Sequence, residues 1–211
     1  MILRPEPGAS ATLARATAAG IEAVAIPLFE IAPVDWVAPD AGEYDALLLT
    51  SANAVRYAGE QLAGLHALPT YCVGDATAVA ARAAGFAVAG TGANDAAALI
   101  ERVPQGLRLL HLTGQAHRVI AGVAAIIVYD SAVIDPPPSL KALAGSVVMV
   151  HSPRAGARLG ELVEVRGEID IAAISAAAAA ACGGGWREVA TIAAPGDVAL
   201  LALAAAPCQK R

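Results

Sequence analysis

The chain has 211 residues, 57% of them apolar and 16% charged, with a net charge of −5 at pH 7. This apolar content excludes a disordered chain, and the lack of a basic cluster argues against nucleic acid as a partner. No apolar run reaches the roughly 18 residues that a membrane-spanning helix needs, and MILRPEPG at the start lacks the apolar core of a signal peptide. We therefore expect a cytoplasmic protein with one large or two small domains.

In chain order, the predicted elements alternate between short apolar strands and helices. LLLTSANAVRYAGE (47–60) begins as a buried strand, breaks at Thr50–Ser51 and continues with apolar residues at helical spacing. YCVGDATAVAARAAGF (71–86) makes a similar transition, and Gly85 is suited to end its helix. Because the strands are apolar on both faces, the pattern predicts parallel sheets covered by helices.

The second half repeats this pattern at an offset of 101 residues. VVMVHSPRAGARLGE aligns Ser152 with Ser51, and IAAISAAAAAACGGGW aligns Ser175 with Gly74. One such match could arise by chance between two Ala-rich helices. Several matches in the same order and at nearly constant spacing are poorly explained by chance. The sequence therefore predicts two pseudo-equivalent α/β halves with right-handed crossovers.

Two extended segments with proline at their edges, PLFEIAPVDW (27–36) and IIVYDSAVIDPPP (126–138), join strand–helix blocks of opposite halves. Pro136 to Pro138 form a stiff stretch that cannot lie in a central strand. Side by side, they would tie one lobe to the other. We therefore predict an α/β fold with two doubly wound parallel-sheet lobes.

The transitions from strand to helix are candidate binding sites. In a parallel sheet, ligands bind beyond the carboxyl ends of the strands, where a helix start presents free amides and a positive dipole end to anions. Ser51 and Ser152 are candidate caps, and Pro153 suits the first helical position. Small residues, Ala52-Asn53-Ala54 and Gly156, would let a ligand approach the backbone. Several such starts predict a ligand with several carboxylates or phosphates.

The same residues also have a purely structural interpretation, because Ser or Asp at a helix start is usually only a cap. His66, His111, His117 and His151 have no metal-ligand spacing and are interpreted as surface or capping residues. Cys72, Cys182 and Cys208 form no C-x-x-C pair and are interpreted as buried or idle thiols. Four arginines flank predicted strand ends and together could meet anionic groups: Arg4, Arg56, Arg118 and Arg154.

A series of short motifs runs along nearly the whole chain: LRP (3–5), GIEAVAIPLFEI (20–31), LTSANAV (49–55), VGDATA (73–78), VYDSA (128–132), HSPRAG (151–156) and AAPGDVALLAL (193–203). In order and spacing they resemble the uroporphyrinogen-III synthases, cofactor-free cyclases of tetrapyrrole synthesis. The resemblance implies two lobes joined by a two-stranded linker. One lobe would comprise residues 1–29 and 132–211, and the other, inserted lobe residues 30–131.

The resemblance also implies the reaction, in which hydroxymethylbilane is closed to uroporphyrinogen III with loss of water and inversion of ring D. Tyr129 would assist departure of the hydroxyl, although it could also be a linker aromatic packed at the lobe junction. No cofactor and no metal are expected. We expect a monomer, with hydroxymethylbilane synthase as a transient partner. The candidate substrate-binding residues are Arg4, Thr50, Ser51, Ala52, Asn53, Gly74, Thr77, Arg118, Ser152, Pro153, Arg154 and Ser175.

The chain departs from the family pattern at two places. Ala178 stands where a threonine hydroxyl is expected, and the chain between Arg118 and Tyr129 is short for the helix expected there. Two alternatives therefore stay open. One is a two-lobed protein that binds an anionic metabolite without chemistry, and the other is a degenerate family member that supports another tetrapyrrole enzyme structurally.

Overall fold

The computed structural model describes residues 1–92, 96–194 and 196–206. Its strands are β1 (Phe29–Pro33), β2 (Ala46–Leu49), β3 (Thr70–Val73), β4 (Val88–Gly92), β5 (Leu109–Gly114), β6 (Ala124–Val133), β7 (Val147–Val150), β8 (Asp170–Ala173) and β9 (Glu188–Thr191). Its α-helices are α1 (Gly8–Ala18), α2 (Ala52–Tyr57), α3 (Asp75–Ala83), α4 (Ala96–Ile100), α5 (Pro153–Leu162), α6 (Ala176–Ala181) and α7 (Asp197–Ala205). Short 3₁₀ helices span Ala41–Glu43, Gly59–Leu65 and Lys141–Leu143.

The chain divides into two compact units. Unit one comprises Met1–Glu30 and Ala132–Arg211, and unit two comprises Ile31–Ser131. Unit one is therefore discontinuous in sequence. β1 and β6 each contain one of the two points at which the chain passes from one unit to the other.

β1 and β6 are neighbours at one edge of a six-stranded sheet with the order β1-β6-β5-β2-β3-β4. The amide of Val34 donates to the carbonyl of Val128, and the amide of Ile134 donates to the carbonyl of Leu28. Residue numbers rise along one strand as they fall along the other, so this pair is antiparallel. The two extended, proline-edged segments of the sequence therefore lie side by side.

Unit two is built on β5-β2-β3-β4, in which all pairings are parallel. Successive residues of a strand point to opposite faces of a sheet. Accordingly, Leu47 and Leu49 pack with residues of α2 and α3, whereas Ala46 packs with Ile100 of α4 on the other face. All four residues of β2 are buried, which accounts for its continuous apolar sequence.

Unit one contains a parallel sheet with the order β7-β8-β9, beside which Ile2 forms isolated bridges to Met149 and Ala25. Val148 and Val150 pack with residues of α5 and α6, while Met149 packs with α1 and α7. Each sheet is thus covered by helices on both faces. The predicted α/β class with parallel, doubly wound sheets is confirmed.

The transitions from strand to helix repeat in both units as the sequence predicts. The Ser51 hydroxyl accepts the amide of Asn53 at the start of α2, and the Ser152 hydroxyl accepts the amide of Ala155 at the start of α5. Gly85 follows α3 with a φ of 91°, a left-handed conformation that favours glycine. Both serines are helix caps, as expected.

Two glycines let α5 pack closely against α6. A Cβ atom on Gly156 would lie 2.7 Å from the carbonyl oxygen of Ala178, and one on Gly160 would lie 2.9 Å from that of Cys182. No side chain fits in either space. The prediction that Gly156 lets a ligand approach the backbone is therefore wrong, because α6 occupies that space.

Candidate functional site

In unit two, several candidate residues follow the carboxyl ends of neighbouring strands. Thr50 and Ser51 follow β2, Gly74 follows β3, and Gly114 ends β5, with the strands in the order β5-β2-β3. The carboxyl ends of parallel strands lie at one edge of the sheet, where ligands bind. We call the part of this sheet edge that is formed by these four residues the unit-two edge. Unit two therefore brings together Thr50, Ser51 and Gly74 of the sequence prediction.

The helix starts at this edge differ in the amides that they leave for a ligand. Ser51 already occupies the amide of Asn53 at the start of α2. Gly74 has a φ of 81° and provides no side-chain cap for α3, although its carbonyl accepts the amide of Thr77. No cap side chain therefore covers the amides of Asp75 and Ala76. Asp75 lies in the first turn of α3, where a carboxylate is favoured by the helix dipole. Because Asp75 is negative, it opposes an anionic ligand there.

A buried histidine supports the unit-two edge. The Oγ1 atom of Thr50 lies 2.9 Å from Nε2 of His111, and His111 is only 3% exposed. Burial and the nearby His117 lower the pKa of His111 from 6.5 to about 4, so the imidazole is neutral at pH 7. The interpretation of His111 as a surface or capping residue is wrong, because it lies inside β5 beneath the edge.

Tyr129 lies on β6, partly buried, beside the end of β5. Its ring occupies the space above Gly114, and its centroid is 6.5 Å from that of Tyr57, with 37° between the ring planes. The phenol is therefore held at the unit-two edge by groups of β5 and α2.

The remaining predicted residues of unit two differ in accessibility. Asn53 is partly buried and its Oδ1 accepts a hydrogen bond from Arg56, whereas Ala52 and Thr77 are buried, Thr77 at 4% exposure. Arg118 is exposed in an irregular connection between β5 and β6. That connection contains no helix, as the short sequence before Tyr129 predicts.

Unit one has a corresponding edge after β7 and β8. The Ser152 hydroxyl follows β7, and the Ser175 hydroxyl follows β8 and accepts the amide of Ala178. Pro153 stands in the first turn of α5, and the guanidinium of Arg154 lies 4.7 Å from the ring centroid of Phe29. A guanidinium over an aromatic face is stabilised by a cation–π interaction. Unit one thus brings Ser152, Pro153 and Ser175 of the prediction to one edge.

Asp197, the first residue of α7, is the centre of a polar cluster at this edge. Its Oδ1 accepts hydrogen bonds from Arg4 Nη1 at 3.1 Å and Thr12 Oγ1 at 2.7 Å and lies 2.9 Å from His151 Nε2, while its Oδ2 accepts from Arg15 Nη1 at 2.6 Å. We call these five residues the Asp197 cluster. Arg4, predicted to bind substrate, is therefore already paired with a carboxylate.

The pKa shifts in the Asp197 cluster have clear causes. Burial acts to raise the pKa of Asp197, but hydrogen bonds from Thr12 and His151 and the charge of Arg4 together hold it below its ordinary value. Burial lowers the pKa of His151, although Asp197 opposes this shift. The interpretation of His151 as a lone surface or capping residue is wrong, because its side chain is 8% exposed and bound to Asp197.

Ala178 is the alanine that stands where the family pattern has a threonine hydroxyl. It is fully buried in the core between α5 and the sheet of unit one, and its amide is taken by Ser175. Its position is therefore a packing position, and the Ser175 hydroxyl lies nearer the edge.

Other features of the described chain lie away from these residues. A pocket of about 470 Å³ in unit one is lined by Met1, Val147, Asp170 and Arg187 among others. It lies at the amino ends of β7 and β8 and includes none of the predicted site residues. Cys72 and Cys182 are buried free thiols, as expected, and Cys208 lies outside the described residues. Within residues 1–92, 96–194 and 196–206, no cluster of His, Cys, Asp or Glu suits a metal ion.

The sequence from residue 10 to residue 201 matches the model of the family described as uroporphyrinogen-III synthase HemD. The chain belongs to the uroporphyrinogen-III synthase family. This confirms the resemblance seen in the motifs. Members of the family are cofactor-independent, cyclising lyases of tetrapyrrole biosynthesis. Comparison with curated proteins gives no significant match.

Solved structures support the fold of this family member. The uroporphyrinogen-III synthetase of Helicobacter pylori is 17% identical, with a TM-score of 0.67 over 87% of this chain and 92% of that chain. A mutant uroporphyrinogen III synthase from the extremely thermophilic bacterium Thermus thermophilus is 15% identical, with a TM-score of 0.53 over 100% of both chains. At these identities the likeness shows the fold alone. Among the described residues, no helix is long and apolar enough to span a membrane.

Proposed function

We propose that this family member closes hydroxymethylbilane to uroporphyrinogen III, with loss of water and inversion of ring D. The observation that carries the proposal is the family match over residues 10–201, which includes Tyr129 and both strand-to-helix transitions. No feature of the described residues favours the alternative of a binding protein without chemistry. The proposal includes the expected cytoplasmic location, the monomeric state and transient contact with hydroxymethylbilane synthase.

The chemistry requires geometry more than a strong acid. When the terminal hydroxyl leaves, the substrate becomes an electrophilic azafulvene. Attack by the substituted carbon of ring D then leads through a spiro intermediate to the inverted ring. Because uncatalysed closure gives the uninverted isomer I, the protein must mainly hold the chain in the geometry of the harder attack.

In this proposal Tyr129 assists departure of the hydroxyl. A phenol O–H is a hydrogen-bond donor at neutral pH and can stabilise a leaving hydroxyl group. The position of Tyr129 beside Gly114, at the same sheet edge as Thr50 and Ser51, supports this role. Thr50, with its hydroxyl bonded to a neutral imidazole, is a second group suited to contact the substrate.

The carboxylates of the substrate must be bound by local groups, because a net charge of −5 repels a polyanion at long range. The proposed groups are the helix-start amides near Gly74, the serine hydroxyls that follow the strands, and the guanidinium groups of Arg118 and Arg154. Arg4 contributes least to direct binding, because its guanidinium is paired with Asp197.

The test is a coupled assay in which hydroxymethylbilane is generated in the presence of the purified protein. The products are oxidised and isomers III and I are separated and quantified. We expect isomer III to predominate, and replacement of Tyr129 with Phe to slow its formation. Isomer I alone, formed at the rate of the blank, would exclude the enzyme. Sedimentation of the same sample tests the monomeric state.

A further inference from the structure

Gly114 provides the space in which the ring of Tyr129 lies. A Cβ atom on Gly114 would be 2.6 Å from Cζ, 2.7 Å from Cε2 and 2.9 Å from the hydroxyl oxygen of Tyr129. Carbon atoms in contact prefer separations of about 3.5–4.0 Å. Gly114 does not have a positive φ, so its backbone would accept any residue. The nearby tyrosine ring, and not the backbone conformation, therefore requires glycine here.

The backbone around Gly114 is fixed from both sides. The register of β5 and β6 pairs Thr113 with Ile127 and then Gly114 with Tyr129, so β6 has one extra residue at this point. This irregularity brings Tyr129 opposite Gly114. The amide of Gln115 donates to the carbonyl of Tyr129 at 2.9 Å, so the peptide that follows Gly114 is bound to Tyr129 itself.

A histidine and a second tyrosine complete this arrangement. Nδ1 of His117 lies 3.0 Å from the carbonyl oxygen of Gly114. Tyr57 flanks the ring of Tyr129 at a centroid distance of 6.5 Å. Gly114 is thus held in place while the phenol rests against it, at the carboxyl end of β5 where the site is expected.

We propose that Gly114 is a positioning residue for ring closure: its missing side chain lets the hydroxyl of Tyr129 lie at the unit-two edge. The inference rests on the proposed function and on the role of Tyr129 within it. Gly114 acts through Tyr129 and needs no contact of its own with the reacting atoms.

Replacement of Gly114 with Ala should displace the phenol without backbone strain. The ring must retreat by about 0.8 Å for its closest atom to move from 2.6 Å to an ordinary contact of 3.4 Å. Misplacement of a catalytic group by about 1 Å lowers rates by up to roughly a hundredfold. We expect kcat for isomer III to fall by about tenfold to a hundredfold. KM should change little, because hydroxyl departure is assisted only in the transition state.

Gly90 on β4, the last strand at the other side of the same sheet, provides a matched control. A Cβ atom on Gly90 would lie 2.9 Å from Cδ1 and 3.2 Å from Cε1 of Tyr71, its partner across β3 and β4. Gly90→Ala therefore creates the same kind of clash with a tyrosine that has no proposed role. Its turnover should stay within about twofold of the wild-type value.

The position of the ring can be measured independently of activity. The chain has 4 tyrosines, so ¹³C-labelled tyrosine gives a simple NMR spectrum in which Tyr129→Phe identifies the signal of Tyr129. Gly114→Ala should shift that signal, and Gly90→Ala should shift the signal of Tyr71 instead. In the wild-type protein, which needs no substitution, nuclear Overhauser effects should join the Hα protons of Gly114 to the ring of Tyr129.

The decisive comparison adds Gly114→Ala to Tyr129→Phe. If Gly114 acts through the hydroxyl, the double variant should be within about twofold of Tyr129→Phe alone. An equally large loss in both backgrounds, an unmoved Tyr129 signal, or no Overhauser effect in the wild type would overturn the inference and leave the enzyme intact. Full turnover in Tyr129→Phe would overturn both this inference and the role of Tyr129. Absence of isomer III from the wild-type assay would remove the proposed function itself.

Discussion

Acidification should expose the energetic effect of His111. In the unfolded chain an imidazole takes up a proton near pH 6.5, whereas burial and His117 lower the pKa of folded His111 to about 4. Between these two values the unfolded chain binds one more proton than the folded chain does. Stability from this residue is therefore complete above about pH 6.5 and is lost as the pH falls toward about 4.

The magnitude follows from the width of this window. Each pH unit in which the unfolded chain binds one extra proton lowers the free energy of unfolding by about 1.4 kcal/mol. Across the window the loss should be about 3 kcal/mol. The variant His111→Gln lacks this titration but retains His151, whose lowered pKa acts in the same direction. The difference between the two proteins therefore isolates His111.

Urea unfolding at a series of pH values from 7 to 4 measures this difference. The chain has 2 tryptophans, and a Trp186→Phe background leaves Trp36 to report on unit two, in which His111 lies. We expect the stability advantage of the protein with His111 over the His111→Gln variant to shrink by about 3 kcal/mol as the pH falls. Parallel curves for the two proteins would refute the reasoning, because they would show that His111 titrates as it does in water.

Three further substitutions test the packing and the helix starts. Gly156→Ala should cost about 1–3 kcal/mol by forcing α5 away from α6, while Gly167→Ala, which has open space around its Cβ position, should change the urea midpoint little. Ser51→Ala should cost about 1 kcal/mol of stability by removing a cap; complete loss of isomer III formation would show that the hydroxyl itself reacts. Asp197→Asn should cost about 2 kcal/mol at pH 7, as measured by urea unfolding, because it removes charged hydrogen bonds. Since the pKa of folded Asp197 is lowered, this cost should shrink only as the pH falls below the ordinary range of Asp. If the stability cost of Asp197→Asn were the same at the lowest pH, the stabilisation would not come from the ionised carboxylate of Asp197.

The strands and the helix starts could be predicted because their signals are local. The fully apolar run at 46–49 indicates a strand that is buried on both faces, and Ser51 lies next to the helix that it caps. The repeat added evidence, since Ser152 caps in the same way at the equivalent position. Each of these inferences depends on residues only a few positions apart.

The polar contacts inside each unit could not be predicted, because their partners are distant in sequence. His111 and Thr50 are 61 residues apart, and His151 and Asp197 are 46 apart. Arg4 is 193 residues from the carboxylate that binds it. No spacing pattern links such pairs, so a buried histidine and an exposed one look the same in sequence.

The wrong prediction for Gly156 has a different cause, which is that a small residue fits more than one kind of neighbour. Gly156 suits a close approach by a ligand and by a neighbouring helix equally well, and the sequence does not distinguish the two. Its actual neighbour, α6, begins more than a helix length further along the chain. No local sequence pattern marks Gly114, because the ring that needs its space comes from the next strand, beyond an irregular connection.

The discontinuity of unit one has a consequence for synthesis on the ribosome. Unit two is continuous from Ile31 to Ser131, so it has all its strands and helices as soon as that stretch has emerged. Residues 2–4 and α1 must wait, because Ile2 pairs beside Met149 and the Asp197 cluster includes Arg4. Residues 1–18 therefore leave the ribosome before unit two but find their partners only after it, and until then the apolar face of α1 is available to chaperones.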